Sequence, residues 1–252
     1  MSANGTTHGS WALVRLDAGS VERAAWPAGL AEATAGLGGA AAGAWLLARH
    51  PGALVLACGP LTGAAAPGSG LLVATCEGGD GRPAHTPLLL RHGPALKAAG
   101  VDFLVVAGRA AEPAALVVEH RGIRQEPARD LAGADVLAMR TRLRARRPDS
   151  RPSLLLCGPA AQRGLPGAAV GLEAGQGLDR GALAGWLAAH NLLAVVLAGG
   201  GPCPGRPPWT PRCSTRSPHS PAQRDSPRSW AGAVRAWRWG APPAGLRPAI
   251  SV

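Results

Sequence analysis

The chain has 252 residues, enough for one or two domains with a sizeable core, and its apolar set is narrow, mostly Ala, Leu and Val, with one Phe and no Tyr. The formal net charge of +11 is uneven: residues 202–252 hold eight Arg and one acid, Asp225, so the body carries a surplus of only four positive charges and gives no reason to expect nucleic acid or an acidic partner. The five cysteines show no C-x-x-C spacing, which excludes a zinc knuckle or an iron–sulfur ligand run, and no stretch reads as a signal peptide or a membrane span, so a cytoplasmic protein without a membrane partner is expected.

Trp11–Asp17 alternates and predicts a strand, followed by a turn at Ala18-Gly19-Ser20. Gly29–His50, bounded by Pro27 and Pro51, predicts a helix loosened by Gly36, Gly38, Gly39 and Gly43. Ala53–Cys58 and Leu71–Cys76 are short apolar runs and predict buried strands. Leu88–Ala99 predicts a helix closed by Gly100 as a left-handed cap. Asp102–Ala107 and Ala114–Glu119 predict strands.

Asp130–Arg146 predicts a helix whose end carries Arg140, Arg142, Arg144, Arg146 and Arg147, read as a solvated basic face at the negative end of the helix dipole. Ser153–Cys157 predicts a strand, Arg180–Ala189 a helix, and Asn191–Ala198 a final buried strand. Interspersed strands and helices, with hairpins and crossovers, give an α+β fold with mixed sheets. The strand-then-Gly-Pro pattern occurs twice, at Leu56–Pro60 and Leu155–Pro159, and suggests an internal duplication.

Two segments carry the chemistry. Gly59–Gly70 is a loop with Gly59, Gly63, Gly68 and Gly70, the hydroxyls of Thr62 and Ser69, and two stiffening prolines. Such a loop either makes an ordinary wide turn or lets successive amides form an anion nest. Glu173–Leu183 is a Gly-rich loop entering a helix, with Arg180 and Gly181 near its start, a pattern suited to phosphate. Neither is a Walker loop. Cys58 and Cys157 end apolar runs and read as buried strand thiols. His92 and His190 lie near the two motifs and read as core or surface histidines.

These segments resemble a known family. LVLACGPLTGAAAPGSG is similar to the GPLTG-x-x-AP-x-x-G segment of the tungsten-pterin aldehyde:ferredoxin oxidoreductases. HGPALKAAGVDFLVVAGRAAEPAALVV resembles a second family stretch, with Lys97, Gly100, Asp102, Val105, Gly108, Glu112 and Pro113 in register. The CGPA segment at 157–160 and DRGALAGWLAAHNLLAVVLAG resemble two more, in the same order over most of residues 1–201. The resemblance implies the N-terminal domain of that family, which forms the base for a bis-pterin cofactor of tungsten or molybdenum with Mg at its phosphates.

On this resemblance the cofactor-binding residues are Gly59, Thr62, Gly63, Gly68, Ser69, Gly70, Arg180 and Gly181, with no catalytic residue and no metal ligand in the chain. A [4Fe-4S] cluster, an aldehyde substrate and ferredoxin as electron acceptor are expected of the family, but no cluster ligands occur here. The chain departs from the family at Leu71, where an Arg is usual, and near Pro87–Leu90, where a polar Asn-Ser-Gly-Gly turn is usual.

Residues 202–252 change character, with 11 Pro, eight Arg and four Trp and no apolar period. They are expected to be an irregular or disordered tail, or the product of a shifted reading frame: read one frame on with GC-ending codons, residues around 209–221 become an amphipathic helix. The chain is therefore expected to be a truncated oxidoreductase, inactive alone. A non-catalytic cofactor-binding or assembly subunit with a separately encoded C-terminal partner is the second reading. The third is nucleic-acid binding by the tail through Trp230, Trp237 and Trp239 with Arg235 and Arg238.

Overall fold

The structure, a computed structural model, describes residues 10–64, 69–89, 91–148, 150–172, 175–176 (backbone only) and 181–199. The tail therefore lies outside the described residues. In chain order the first half holds β1 (Ser10–Arg15), β2 (Ser20–Ala25), α1 (Leu30–Ala33), α2 (Gly39–Arg49), β3 (Leu54–Cys58), β4 (Leu72–Glu77), β5 (Pro83–Leu88), α3 (His92–Ala98) and β6 (Val101–Ala107). The second half holds β7 (Ala114–Glu119), β8 (Gly122–Pro127), a 3-10 turn (Arg129–Leu131), α4 (Val136–Ala145), β9 (Ser153–Leu156), α5 (Pro159–Gln162), β10 (Gly171–Leu172), β11 (Gly175–Gln176), α6 (Ala182–Ala189) and β12 (Leu192–Ala198).

The two halves have one topology. The first sheet runs β2-β1-β6-β3-β4-β5 and the second β11-β10-β9-β12-β7-β8, which is the same order advanced by six strands and read from the other end. Each sheet has one parallel pair, β1 with β6 and β7 with β12, and four antiparallel pairs in matching places. Even the irregularity repeats. The parallel pair shifts register between Ser10 and Trp11 in one sheet and between Leu192 and Ala194 in the other. The duplication suggested by the two Cys-Gly-Pro segments is thus visible in the strand pairing.

Alternation decides which face each strand buries. In the first sheet Leu13, Val55, Ala57, Phe103 and Val105 pack with Leu30, Ala42, Leu46 and Leu47 of α1 and α2. Ala12, Val14, Leu54, Leu56, Leu72, Ala74, Leu104 and Val106 turn the other way and share one core with the second half. That shared core is held by an exchange of helices. α3 packs on β3 and β6 of its own sheet and on β7, β9 and β12 of the other; α6 packs on β12 and on β4 and β5 of the other sheet. The long-range Trp186 indole N–H to Gly52 carbonyl bond, 2.8 Å, ties α6 to the first half.

Several helix expectations are corrected. The segment Gly29–His50 forms two helices, because Ala35, Gly36, Gly38 and Gly39 all take positive φ and break the ladder. Leu88–Ala99 divides into the end of β5 and α3, since Leu88 pairs with Leu72. Asp130–Arg146 begins as a 3-10 turn, and α4 starts only where Asp135 caps it by accepting from the Ala138 amide at 2.8 Å.

Nor is the whole basic end of α4 solvated. Arg147 keeps only 9% of its side chain exposed and bridges Glu119 (3.3 Å) and Glu126 (2.6 Å) of the β7–β8 hairpin. The hydrogen bond from Arg124, aided by Arg147, holds Glu119 below the usual carboxylate range.

Gly100 and Asn191 stand at the same place in the two halves, between the helix and the last strand, with φ of 79° and 54°. A side chain at Gly100 meets nothing within 4 Å, so only the backbone resists substitution there. We expect Gly100→Val to cost about 1–2 kcal/mol and Gly100→Asn clearly less, because Asn tolerates the left-handed region. Urea denaturation of the two variants measures the difference.

Candidate functional site

The Gly59–Gly70 loop leaves the C-terminal end of β3. Its described part closes on itself. The Gly59 amide donates to Thr62 Oγ1 at 2.9 Å, and that hydroxyl donates onward to the Leu71 carbonyl at 3.0 Å. The amides of Thr62, Gly63 and Ala64 donate to the carbonyls of Gly59, Ser69 and Leu61 at 3.1, 2.7 and 3.0 Å. The Ser69 hydroxyl donates to the Ala64 carbonyl at 2.6 Å. Gly63 needs its glycine, with φ of 81°.

Two further glycines let other segments reach this loop. A Cβ on Gly93, in α3, would stand 2.4 Å from Thr62 Cγ2 and 2.7 Å from the Leu71 carbonyl oxygen; one on Gly38 would stand 2.4 Å from the Cys58 carbonyl oxygen. The loop is therefore wedged between the starts of α2 and α3. His92, buried, fixes α3 across the core, with Nδ1 2.8 Å from the Leu89 carbonyl and Nε2 3.2 Å from the Leu154 carbonyl of β9. The core reading of His92 is borne out.

Four large apolar side chains stand exposed around this loop, beside the exposed Arg91. Leu37, Leu61, Leu71 and Leu89 are 66, 66, 38 and 48% exposed. All four sit on the loop or on segments that meet it. The register that pairs Leu72 with Leu88 carries Leu71 and Leu89 outward as neighbours. Sequence reading singled out Leu71 and the Pro87–Leu90 run as departures but missed Leu37 and Leu61. An exposed leucine leaves no mark in sequence that tells it from a core leucine.

The second half has an equivalent corner. Gly158 follows β9 as Gly59 follows β3, and a Cβ there would meet Val136 of α4 at 3.0 Å. Gly181, φ 95°, precedes α6 and lies beside Gly167 and Ala168. Gly68 and Arg180 lie outside the described residues. Cys58 and Cys157 occupy matching positions, and each thiol contacts the carbonyl of the matching helical residue, Gly93 at 3.7 Å and Ala184 at 3.9 Å. Both thiols are buried, Cys58 as the last residue of β3 and Cys157 one residue past the end of β9. Burial pushes the Cys157 thiol up to about 12.

Among the described residues no group of His, Cys, Asp and Glu is arranged to hold a metal ion. The residues of the second resembling stretch are accounted for by structure: Lys97 pairs with Asp102 at 3.7 Å, Asp102 accepts from the Trp26 indole at 3.1 Å, Gly108 closes on Asp17, and Glu112 pairs with Arg129.

The model of the aldehyde ferredoxin oxidoreductase N-terminal domain matches residues 11–199. The chain belongs to this family. Among curated proteins none matches the sequence. A solved structure, the active site complex BamBC of benzoyl coenzyme A reductase in complex with 1,5-dienoyl-CoA, shares the fold with a TM-score of 0.70 at 22% identity, over 76% of this chain. The chain spans about a third of that protein's length, 31%. The family is one of pterin–metal cofactor enzymes, but the described donors from Gly59 to Ala64 do not fit the phosphates of such a cofactor. Three successive amides run to three internal carbonyls and form no nest, and both hydroxyls are spent inside the loop.

Two outcomes follow. Thr62→Val keeps the shape but removes the acceptor of the Gly59 amide and the donor to Leu71, and we expect a loss of about 1–3 kcal/mol in chemical denaturation. For Cys157, the folded value near 12 stands above the ordinary value of 9.0, so the unfolded thiol ionises first. Its contribution to stability is complete below about pH 9 and is lost as pH rises from there toward 12. A denaturation series across that range should show stability falling, with Cys157→Ala flattening the fall.

Proposed function

We propose that this chain is the base of an aldehyde:ferredoxin-oxidoreductase-type enzyme and carries out no redox step by itself. In the assembled enzyme an aldehyde would be oxidised to a carboxylate and electrons would pass to ferredoxin. The tungsten or molybdenum pterin, its Mg and the [4Fe-4S] cluster would be held by the catalytic remainder of the enzyme. The observation that carries this reading is the described part of the loop, whose hydroxyls are turned inward and whose exposed leucines offer a contact surface.

The face of Leu37, Leu61, Leu71 and Leu89 is the side that the catalytic remainder would cover. Gly59, Thr62, Gly63, Gly68, Ser69 and Gly70 then act by shape, and Arg180 with Gly181 supplies the polar contact in the second half. A separately encoded C-terminal partner is one source of that remainder, favoured by Leu71 in place of the family's Arg and by the loss of the polar turn near Pro87–Leu90.

Co-expression with such a catalytic partner tests the proposal. The tagged chain should capture the partner, aldehyde-dependent viologen reduction should appear only in the complex, and Leu71→Asp with Leu89→Asp should lower capture at least tenfold. Aldehyde oxidation by the chain alone, or capture unaffected by the double variant, contradicts it.

A further inference from the structure

We infer that the face of Leu37, Leu61, Leu71 and Leu89 is a protein-docking surface keyed by Arg91, and that its partner presents apolar side chains with one carboxylate set against the Arg91 guanidinium. The inference deepens the reading of the chain as a base and rests on it only for what the partner belongs to. The charge of this corner carries it. Between Glu32 and Glu77, and again between Asp80 and Asp102, the chain has no acidic residue. Those two stretches supply all four leucines, the Gly59–Gly70 loop and the whole of α3. Arg91 is exposed, and among the described residues its side chain has no ion-pair or hydrogen-bond partner.

The backbone fixes Arg91 beside the leucines. Leu89 follows the Leu72–Leu88 pair, and its carbonyl lies 2.8 Å from Nδ1 of the buried His92, which closes a turn over residues 89–92. Arg91 sits in that turn. One residue past it, Gly93 sets α3 against the loop, since a Cβ there would stand 2.7 Å from the Leu71 carbonyl oxygen. Covering the leucines removes apolar area from water and favours association. Covering Arg91 with them and meeting it with no anion would leave an uncompensated charge out of water, which opposes association. A partner carboxylate resolves the conflict, because the guanidinium fork donates two parallel hydrogen bonds to it. A free inorganic anion would meet Arg91 and leave four leucines in water, so the surface as a whole fits a protein face.

The test uses the full chain with labelled leucine methyls and arginine side chains, and octanoate below its micelle concentration as a probe that joins a carboxylate to an apolar chain. Octan-1-ol is the uncharged control. We expect octanoate to shift the Leu71 and Leu89 methyls and the Arg91 Nε–H saturably and to bind about fivefold more tightly than octan-1-ol. That preference should vanish in Arg91→Gln and persist in Arg91→Lys. Equal binding of the two probes, no binding of either, or a preference that survives Arg91→Gln overturns the inference. Displacement of octanoate by equimolar inorganic pyrophosphate at constant ionic strength also overturns it, because Arg91 then belongs to a phosphate site. Partner capture is read separately: an octanoate preference without capture removes the base reading alone, and capture unchanged by Arg91→Glu with no octanoate preference removes this inference alone.

Discussion

The constraint on which the rest of the molecule depends is the exchange of α3 and α6 between two sheets of identical topology. Each sheet has an inner face of small and branched aliphatic side chains that its own half covers only in part. Placing α3 against β7, β9 and β12, and α6 against β4 and β5, buries both inner faces in one core. Neither half could close that core alone, since the hydrophobic gain comes from area removed from water on both sides at once. The outer face of the first sheet needs less, and the α1–α2 pair with Phe103 is sufficient for it.

The same exchange fixes the loops at the strand ends. Cys58 ends β3 and Cys157 directly follows β9, and their thiols touch the carbonyls of Gly93 and Ala184, so the start of each exchanged helix is set against the strand from which each Cys-Gly-Pro segment departs. His92 adds a polar tie between the halves at that level. The Gly59–Leu71 loop is then held by packing from α2 and α3 and by its own hydrogen bonds. The described part of that loop is held in place by the core, and its exposed leucines stand on that support.

Much of this was legible before any coordinates. The inner strands announced themselves as apolar runs: Ala114–Glu119 was read with its observed limits, and Ala53–Cys58 and Asp102–Ala107 within a residue. The edge strands did not. β2 is Ser-Val-Glu-Arg-Ala-Ala, exposed throughout, β5 holds two prolines, and β8 is Gly-Ile-Arg-Gln-Glu-Pro, mostly polar with one large apolar residue; each is a strand because a neighbour pairs with it, not because its own residues demand it. Helix limits failed where glycine runs permitted positive φ, as at Gly36–Gly39. At the candidate site, the glycines and hydroxyls were visible in sequence, but the direction of their hydrogen bonds was not. Thr62 and Ser69 as ligands or as internal clamps are the same letters, and only the distances to Leu71 and Ala64 separate the two.

Seen this way, family membership and chemical role come apart. The match to the aldehyde ferredoxin oxidoreductase N-terminal domain runs over residues 11–199, while the described hydroxyls of Thr62 and Ser69 are turned inward and no described cluster is arranged for a metal. The most direct measurement is the content of tungsten, molybdenum and pterin in the full chain purified alone from a host that makes the cofactor. The account predicts traces far below one metal and one pterin per chain. Stoichiometric metal and pterin on the isolated chain would contradict it.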